Sequence, residues 1–303
     1  MRRSVTCGAL AWLLAKKGLD ARRVIIYAWS PLPIVEFAIE GHLDVLVILF
    51  TVLAALSATI FDAHERKGQA LTGFFIGMAT LMKLYPILLL VVFFRGRNWI
   101  LLLTCFATIF LGYIPFIMLG HGQILAVLLS FTGQQQSFQS VIARVIEWNS
   151  AGWGLTSSAI TQLATLVEAF IIGTVTLVVF ILRLRERISI EAAILLLTGT
   201  ILASYSHLFP WYAPALLPWI AVLAAPLRVH KKFSARGLAM ALVWYFTFVV
   251  ILSYVLSLQA FNTLADWSLY YKISFGVVII GLGTAALLSY YNHITMKKSS
   301  SSF

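Results

Sequence analysis

Of 303 residues, 61% are hydrophobic and only 11% charged, with a mean hydropathy of +0.93, whereas a water-soluble domain is about 45–50% apolar and about 25% charged. Too few polar side chains remain to clothe an aqueous surface. A soluble enzyme or nucleic-acid binder is therefore excluded despite the formal charge of +11, because the basic residues stand in short clusters between apolar runs rather than along one polar face.

In chain order, Arg2-Arg3, a mostly apolar run and Lys16-Lys17 superficially resemble a signal peptide, but the site after the run is a poor cleavage site. Residues 1–23 read instead as a cytoplasmic or interfacial segment, or as the tail of a longer helix. Stretches near the roughly 20 residues that cross a bilayer core then follow. They are Val24 to Ile39 (short and proline-broken), Leu43 to Phe61, Trp99 to Leu119, Ile160 to Leu182, Ile188 to Tyr205, Trp211 to Leu227, Leu238 to Leu258 and Ile273 to Tyr291. The pattern predicts an all-α polytopic membrane helical bundle of about eight spanning helices, forming a single integral membrane domain over 1–303. Cys7 and Cys105 lie in or beside apolar segments and read as packing residues.

Orientation follows from the lysine and arginine bias of short loops. With Lys16 to Arg23 inside, the clusters Arg66-Lys67, Arg95/Arg97, Arg183/Arg185/Arg187, Arg228 to Arg236 and Lys297-Lys298 all fall in the cytoplasm. So does the tail, 292–303. Of the 22 lysines and arginines only Lys83, Arg144 and Lys272 do not. This parity requires Gln69 to Phe94, flanked by basic clusters on both sides, to return to the side it left. The interruption Lys83-Leu84-Tyr85-Pro86 marks the tip of a re-entrant helical hairpin. About 13 residues at 1.5 Å each would raise that tip roughly 20 Å, and irregular backbone at such depth must line a cavity or be covered by protein.

Gly73-x-x-x-Gly77 suits close helix packing. The external loop, 120–159, holds Phe138, Val141, Ile142, Val145 and Ile146 at helical spacing, with Gln139, Ser140, Arg144 and Glu147 opposite. That is an amphipathic helix for the outer leaflet, with Trp148 and Trp153 at the same interface.

Candidate chemistry lies in three groups on the outer side. Glu36 and Glu40-Gly41-His42-Leu43-Asp44 offer carboxylates and an imidazole suited to a general base, a metal ligand or a sugar-hydroxyl acceptor, or else form a solvated turn. At i, i+4 spacing Glu36 and Glu40 would share one helix face, which disfavours two charges unless a cation is bound. Lys83 within the membrane costs about 2.5–3.5 kcal/mol, so it should face a wet cavity or an anion. Pro86 would start a half-helix whose N–H groups point to the same spot, which suits a phosphate; the other reading is a structural partner such as Glu168. In Ser206-His207-Leu208-Phe209-Pro210-Trp211-Tyr212, His207 can move a proton near neutral pH, and Trp211 and Tyr212 can stack on a sugar or serve as interfacial anchors. His64, His121, His230 and His293 are isolated, without metal-ligand spacing.

The strings Tyr27 to Asp44 (YAWSPLPIVEFAIEGHLD), Met82 to Leu90 (MKLYPILLL) and His207 to Tyr212 (HLFPWY) resemble the GT-C superfamily of membrane glycosyltransferases. The resemblance extends in order over nearly the whole chain and points to the mannosyltransferase-like branch around glycosyltransferase family 87. It implies a GT-C-like fold and an inverting hexosyltransferase in a bacterial plasma membrane. The enzyme would move a sugar, often mannose, from a polyprenyl-phosphate donor to a lipid or glycan acceptor on the non-cytoplasmic face, needing membrane lipids and no nucleic acid. No cofactor is expected, and a divalent cation stays open. Lys83 with Arg144 would hold the donor phosphate, and His207 would assist proton transfer. Trp211 and Tyr212 would shape the sugar pocket, with Glu36 and Tyr85 lining it, while Glu40, His42 and Asp44 line the acceptor side.

One departure matters. Such enzymes carry their principal catalytic aspartate in a first external loop after an initial helix, and this chain shows neither. The resemblance then implies an N-terminally truncated chain, or a partner-dependent or inactive relative, with Asp44 or Glu40 as substitute base. Rival readings are a lipid-carrier or small-solute transporter, and a non-catalytic membrane subunit.

Overall fold

A chain in hydrocarbon must satisfy its backbone N–H and C=O groups internally, and a helix does so within one segment. The computed structural model describes residues 2–120, 140–150, 152, 154–204, 209–229, 232–256 and 264–300. Among these it is helical apart from loops and one two-residue antiparallel pair, Arg228–Val229 with Lys232–Phe233.

The first part of the bundle comprises α1 (Arg2–Lys16), α2 (Ile25–Ala28), α3 (Asp44–Ile60), α4 (Arg66–Met82), α5 (Leu90–Phe93) and α6 (Trp99–Leu119). After it come α7 (Val141–Asn149), α8 (Ser157–Leu184), α9 (Ile190–Ser204), α10 (Leu217–Leu223), α11 (Ala235–Val249), α12 (Leu252–Leu256), α13 (Leu264–Tyr271) and α14 (Val277–Ser300). Side-chain caps start several of them: Ser140, Thr156 and Ser234 accept hydrogen bonds from the N–H groups of Ala143, Ala159 and Gly237, satisfying donors that a helix leaves open at its first turn.

Four segments are long and apolar enough to cross a membrane: Trp99–Leu119, Ser157–Leu184, Ala235–Leu256 and Trp267–Asn292. The shortest has 21 residues and covers about 32 Å. A fifth crossing is available if Pro33–Ile39 and Asp44–Ile60, bent by 112°, are taken together. Eight full-length spans are not present among the described residues. The expected span Ile188 to Tyr205 is α9, with 15 residues. Trp211 to Leu227 divides into a tight 3-10 segment, Pro210–Leu216, and the seven-residue α10, because Pro210, Pro214 and Pro218 interrupt regular α winding.

The long helices turn apolar side chains outward, as lipid contact requires: Phe106 and Phe110 on α6, Leu166 and Phe170 on α8, and Ile279 and Ile280 on α14 are all exposed. The protein core lies instead among the shorter elements, where Leu13, Tyr27, Val52, Ile76, Leu89 and Trp219 are buried in one continuous cluster. α1 contributes to it through Leu10, Leu13 and Leu14, none of which is exposed, and it packs along α3 to reach the Pro33–Ile39 segment. That is the packing of a bundle helix rather than of a segment lying on the surface.

The return of the hairpin is settled by neighbours. α3 and α4 are antiparallel, since a Cβ at Gly68 would meet Phe61 at one end while Lys83 meets Asp44 at the other. α4 and α6 are parallel, with Gly73 against Leu101 and Thr104, Gly77 against Cys105 and Thr108, and Gly112 against Leu81. The chain therefore leaves Met82 at the far end of α4 and is back at the near end by Trp99. It descends through the 3-10 segment Tyr85–Leu89 and α5. The ascending helix has 17 residues, so the tip rises about 25 Å, higher than a 13-residue arm would lift it.

At the near end the basic clusters come together. Arg95 pairs with Glu186 at 3.1 Å, Lys17 with the buried Glu191 at 2.6 Å, and Arg23 and Arg236 donate to the carbonyls of Ala224 and Leu223. Arg22 holds the exposed Asp20 carboxyl below its usual range. Buried Arg183 donates to the carbonyls of Val92 at 3.0 Å and Ile188 at 2.7 Å, fastening the foot of the hairpin to the α8–α9 turn.

A Cβ added at Gly77 would lie 2.7 Å from Thr108 Cβ and 2.9 Å from the Cys105 carbonyl oxygen, a backbone contact that cannot move aside. Gly77→Val is expected to destabilise the bundle by about 1–3 kcal/mol. The measurement is a lowered unfolding temperature in detergent, with Gly173→Ala, whose Cβ meets nothing within 4 Å, as the unaffected control.

Candidate active site

The end of this core opposite the basic clusters is shaped by two breaks in helical winding. Pro33–Ile39 winds as a π-helix, with the Glu40 N–H donating to the Val35 carbonyl five residues back, at 2.9 Å. Gly41 then takes φ +75°, a left-handed turn open to glycine at little cost. The His42 N–H closes the turn on the Glu36 carbonyl at 2.9 Å. Glu36 is thereby buried with none of its surface exposed, whereas Glu40 is exposed. The two acids thus differ in burial, while Glu40 still lies within electrostatic reach of Glu36.

The second break is at Lys83, whose extended backbone (φ −150°, ψ 142°) ends α4. Its Nζ lies 3.5 Å from Asp44 Oδ1, donates to the Tyr212 hydroxyl at 3.2 Å and sits 4.5 Å from the centre of the Tyr212 ring. The partner of Lys83 is thus Asp44 and not Glu168, which bonds with Ser140 instead. Tyr85 lies within electrostatic reach of both Asp44 and Tyr212. One third of the Lys83 side chain stays exposed, so its ammonium can still meet an anion.

The Pro210–Leu216 segment closes the site from the far side of the sequence. Trp211 stacks on His42 with centroids 4.5 Å apart and planes 15° from parallel. Its partner on the other side is Phe209, at 4.3 Å and 7°. His42 Nε2 is 3.5 Å from Glu36 Oε2, and the Tyr254 hydroxyl of α12 donates to Glu36 Oε1 at 2.7 Å. Glu36, His42, Asp44, Lys83, Tyr85, Trp211 and Tyr212 therefore gather in one place.

Other expected residues stand elsewhere. Arg144 pairs with Glu147 at 2.7 Å and bonds with Tyr271, and among the described contacts none joins it to Lys83. It belongs to α7, whose Ala143, Ile142 and Ile146 pack on Ile160 and Ala164 of α8. His207, with Phe138, Gln139 and Trp153, lies outside the described residues. Tyr254 was missed, because a tyrosine within the apolar run Leu238 to Leu258 looks like any other interior aromatic. Its only signal is a hydroxyl in a span, which needs a partner there. Among the described residues no group of three His, Cys, Asp or Glu could hold a metal ion.

This arrangement sets an ammonium, a carboxylate and an imidazole around an aromatic platform, the equipment for binding a polar head and moving a proton at a membrane surface. The family model of glycosyltransferase family 87 matches residues 4–209. The chain belongs to glycosyltransferase family 87. Membership makes it a membrane glycosyltransferase, acting on a sugar donor and an acceptor. The family 87 match takes in both helical breaks, with Glu36, His42, Asp44 and Lys83, and stops before Trp211, Tyr212 and Tyr254. No curated protein and no solved structure matches the chain.

Tyr254→Phe removes the donor to Glu36 Oε1 inside the protein, and an unmet buried acceptor costs about 1–3 kcal/mol. The unfolding temperature in detergent should fall, while Tyr290→Phe on the exposed flank of α14 leaves it unchanged.

Proposed function

We propose that this family 87 member transfers a sugar, mannose or a close relative, from a polyprenyl-phosphate carrier to a lipid or glycan acceptor, with inversion, on the membrane face opposite the basic clusters. In this reading that face is non-cytoplasmic, the C-terminus is cytoplasmic, and the short and broken helices complete eight crossings of a bacterial plasma membrane.

The observation that carries the proposal is Lys83 at the tip of the hairpin. A lysine there is retained in spite of its insertion cost. It is held by one carboxylate and one phenol at a position where the phosphate of a bilayer-embedded carrier can approach. Carriage on a lipid phosphate matches this geometry because the isoprenoid stays among the outward-facing apolar helices while the phosphate reaches the ammonium. Lys83 offsets the charge that grows on the phosphate as the sugar leaves. Asp44 and Tyr212 aim Lys83, Trp211 stacks on the sugar, Tyr85 and Glu36 border the pocket, and Glu40 and His42 stand on the acceptor side. Arg144 reaches the phosphate only if it leaves Glu147, and His207 assists proton transfer.

The test is transfer of radiolabel from polyprenyl-phosphate mannose in membranes containing the chain. Lys83→Ala should abolish most of the transfer, a loss of roughly 100-fold or more for a donor that meets developing charge, and His207→Ala should lower it. Transfer untouched by both substitutions would remove the site assignment.

A further inference from the structure

Glu36 presents an asymmetry that phosphate binding does not use. The side chain is wholly buried; Oε1 has the Tyr254 hydroxyl at 2.7 Å, but Oε2 is buried without a hydrogen-bond partner. Such an oxygen is costly to keep unless some state of the protein supplies a donor. The group it faces is the imidazole of His42, at 3.5 Å, too long for a formed hydrogen bond and close enough to become one.

We infer that His42 is the base that takes the proton of the acceptor hydroxyl, with Glu36 as the positioning residue behind it and Tyr254 holding Glu36. This rests on the transferase reading above and adds to it the group that activates the acceptor.

The ring is placed for the task. Stacking on Trp211, itself stacked on Phe209, fixes the imidazole plane, and about a third of the side chain (34%) remains exposed. The nitrogen facing a carboxylate is the one that carries hydrogen, which leaves the other as acceptor. Nε2–H is thus directed to Glu36, and Nδ1 presents the lone pair. When Nδ1 gains a proton, Nε2–H becomes a charge-assisted donor, and the empty Oε2 acquires its partner. The contact is stronger after proton transfer than before, the condition for lowering a barrier rather than merely binding substrate.

The neighbouring acids are less suited. Asp44 is 3.5 Å from Lys83 and mostly buried, so its charge is engaged in aiming that ammonium. Glu40 is exposed, with no ring or hydroxyl shown to orient it. Asp44 therefore serves the phosphate side and His42 the acceptor side.

In the step itself, the acceptor oxygen bonds to the anomeric carbon as the bond from that carbon to the phosphate oxygen breaks. Its electron pair leaves on the polyprenyl phosphate beside Lys83, and the hydroxyl proton goes to His42 Nδ1. The products are the glycoside, the polyprenyl phosphate and an imidazolium, which returns its proton to water. Nothing else is consumed.

The experiment uses membranes carrying the full chain, radiolabelled polyprenyl-phosphate mannose as donor and octyl α-mannoside as acceptor. His42→Ala should lower kcat roughly 100- to 10,000-fold, with donor KM changed less than about threefold. Added imidazole should restore at least about tenfold, as it can enter the space left by the side chain. Glu36→Gln should reduce kcat with donor KM unchanged, and Glu36→Asp should recover part of the loss. His42→Gln, which keeps most of the volume against Trp211, repeats the test should the alanine variant fail to extract as a monodisperse species. An active wild type beside a His42→Ala enzyme within about threefold of it, or a monodisperse variant that imidazole does not rescue, overturns the inference and leaves the transferase reading standing. A wild type that transfers nothing overturns that reading and this inference with it.

Discussion

A half-buried lysine at the end of an apolar helix must be met by something of opposite charge, and in this protein the architecture around the hairpin tip is arranged around meeting it. Lys83 terminates the ascending arm of the hairpin, and Asp44 opens the helix beside it. For the two to touch, α3 and α4 must run antiparallel over their full lengths, which sets the height of the tip. α6 must then lie close enough against α4 to cover the arm, and the glycines at 73 and 77 permit that approach. Tyr212, from far along the chain, completes the ring around the ammonium. One electrostatic requirement thus fixes the relative height of three helices and brings in a fourth element.

The two ends of the molecule do opposite work. On the basic side, charges are matched to carbonyls and carboxylates at short range, as in Lys17–Glu191 and Arg183–Val92, and the result is a fastening. On the opposite side, contacts of 3.5 Å at Asp44–Lys83 and Glu36–His42 leave groups partly satisfied. Partial satisfaction is costly in a resting protein, and it belongs where a substrate or a proton completes the set.

How much of this could be read from the chain depends on the kind of signal. Hydropathy gave the membrane class and the long helices, since an apolar run of 21 residues such as Trp99–Leu119 has few other uses. Charge parity gave the hairpin, because it is a rule about sides and not about winding. Parity does not say how α1 packs, since the burial of its Leu10, Leu13 and Leu14 reflects tertiary contacts that no flanking charge reports. The expected regular helices are not formed where prolines fall, at 210, 214 and 218, since composition does not distinguish one continuous helix from a 3-10 turn joined to a short helix. At the site, Glu36, His42, Asp44 and Lys83 were legible as polar residues in the wrong solvent. Their pairing was not. The burial of Glu36 beside an exposed Glu40 depends on how the π turn closes, which spacing does not report, and Tyr254 joined through a contact across 218 residues of sequence.

That π turn makes the registration of the site a matter of counting. A π turn accommodates one residue more than an α turn of the same height, and each residue of an α-helix advances the winding by about 100°. Deleting one position between Glu36 and Ile39 would remove the residue that lets the Glu40 N–H reach five places back to Val35, so the bend could not close as it does and Glu36 would lose its fixed place against the ring it faces. The number of backbone positions between Pro33 and Gly41 is therefore as much a part of this arrangement as the identity of the acids.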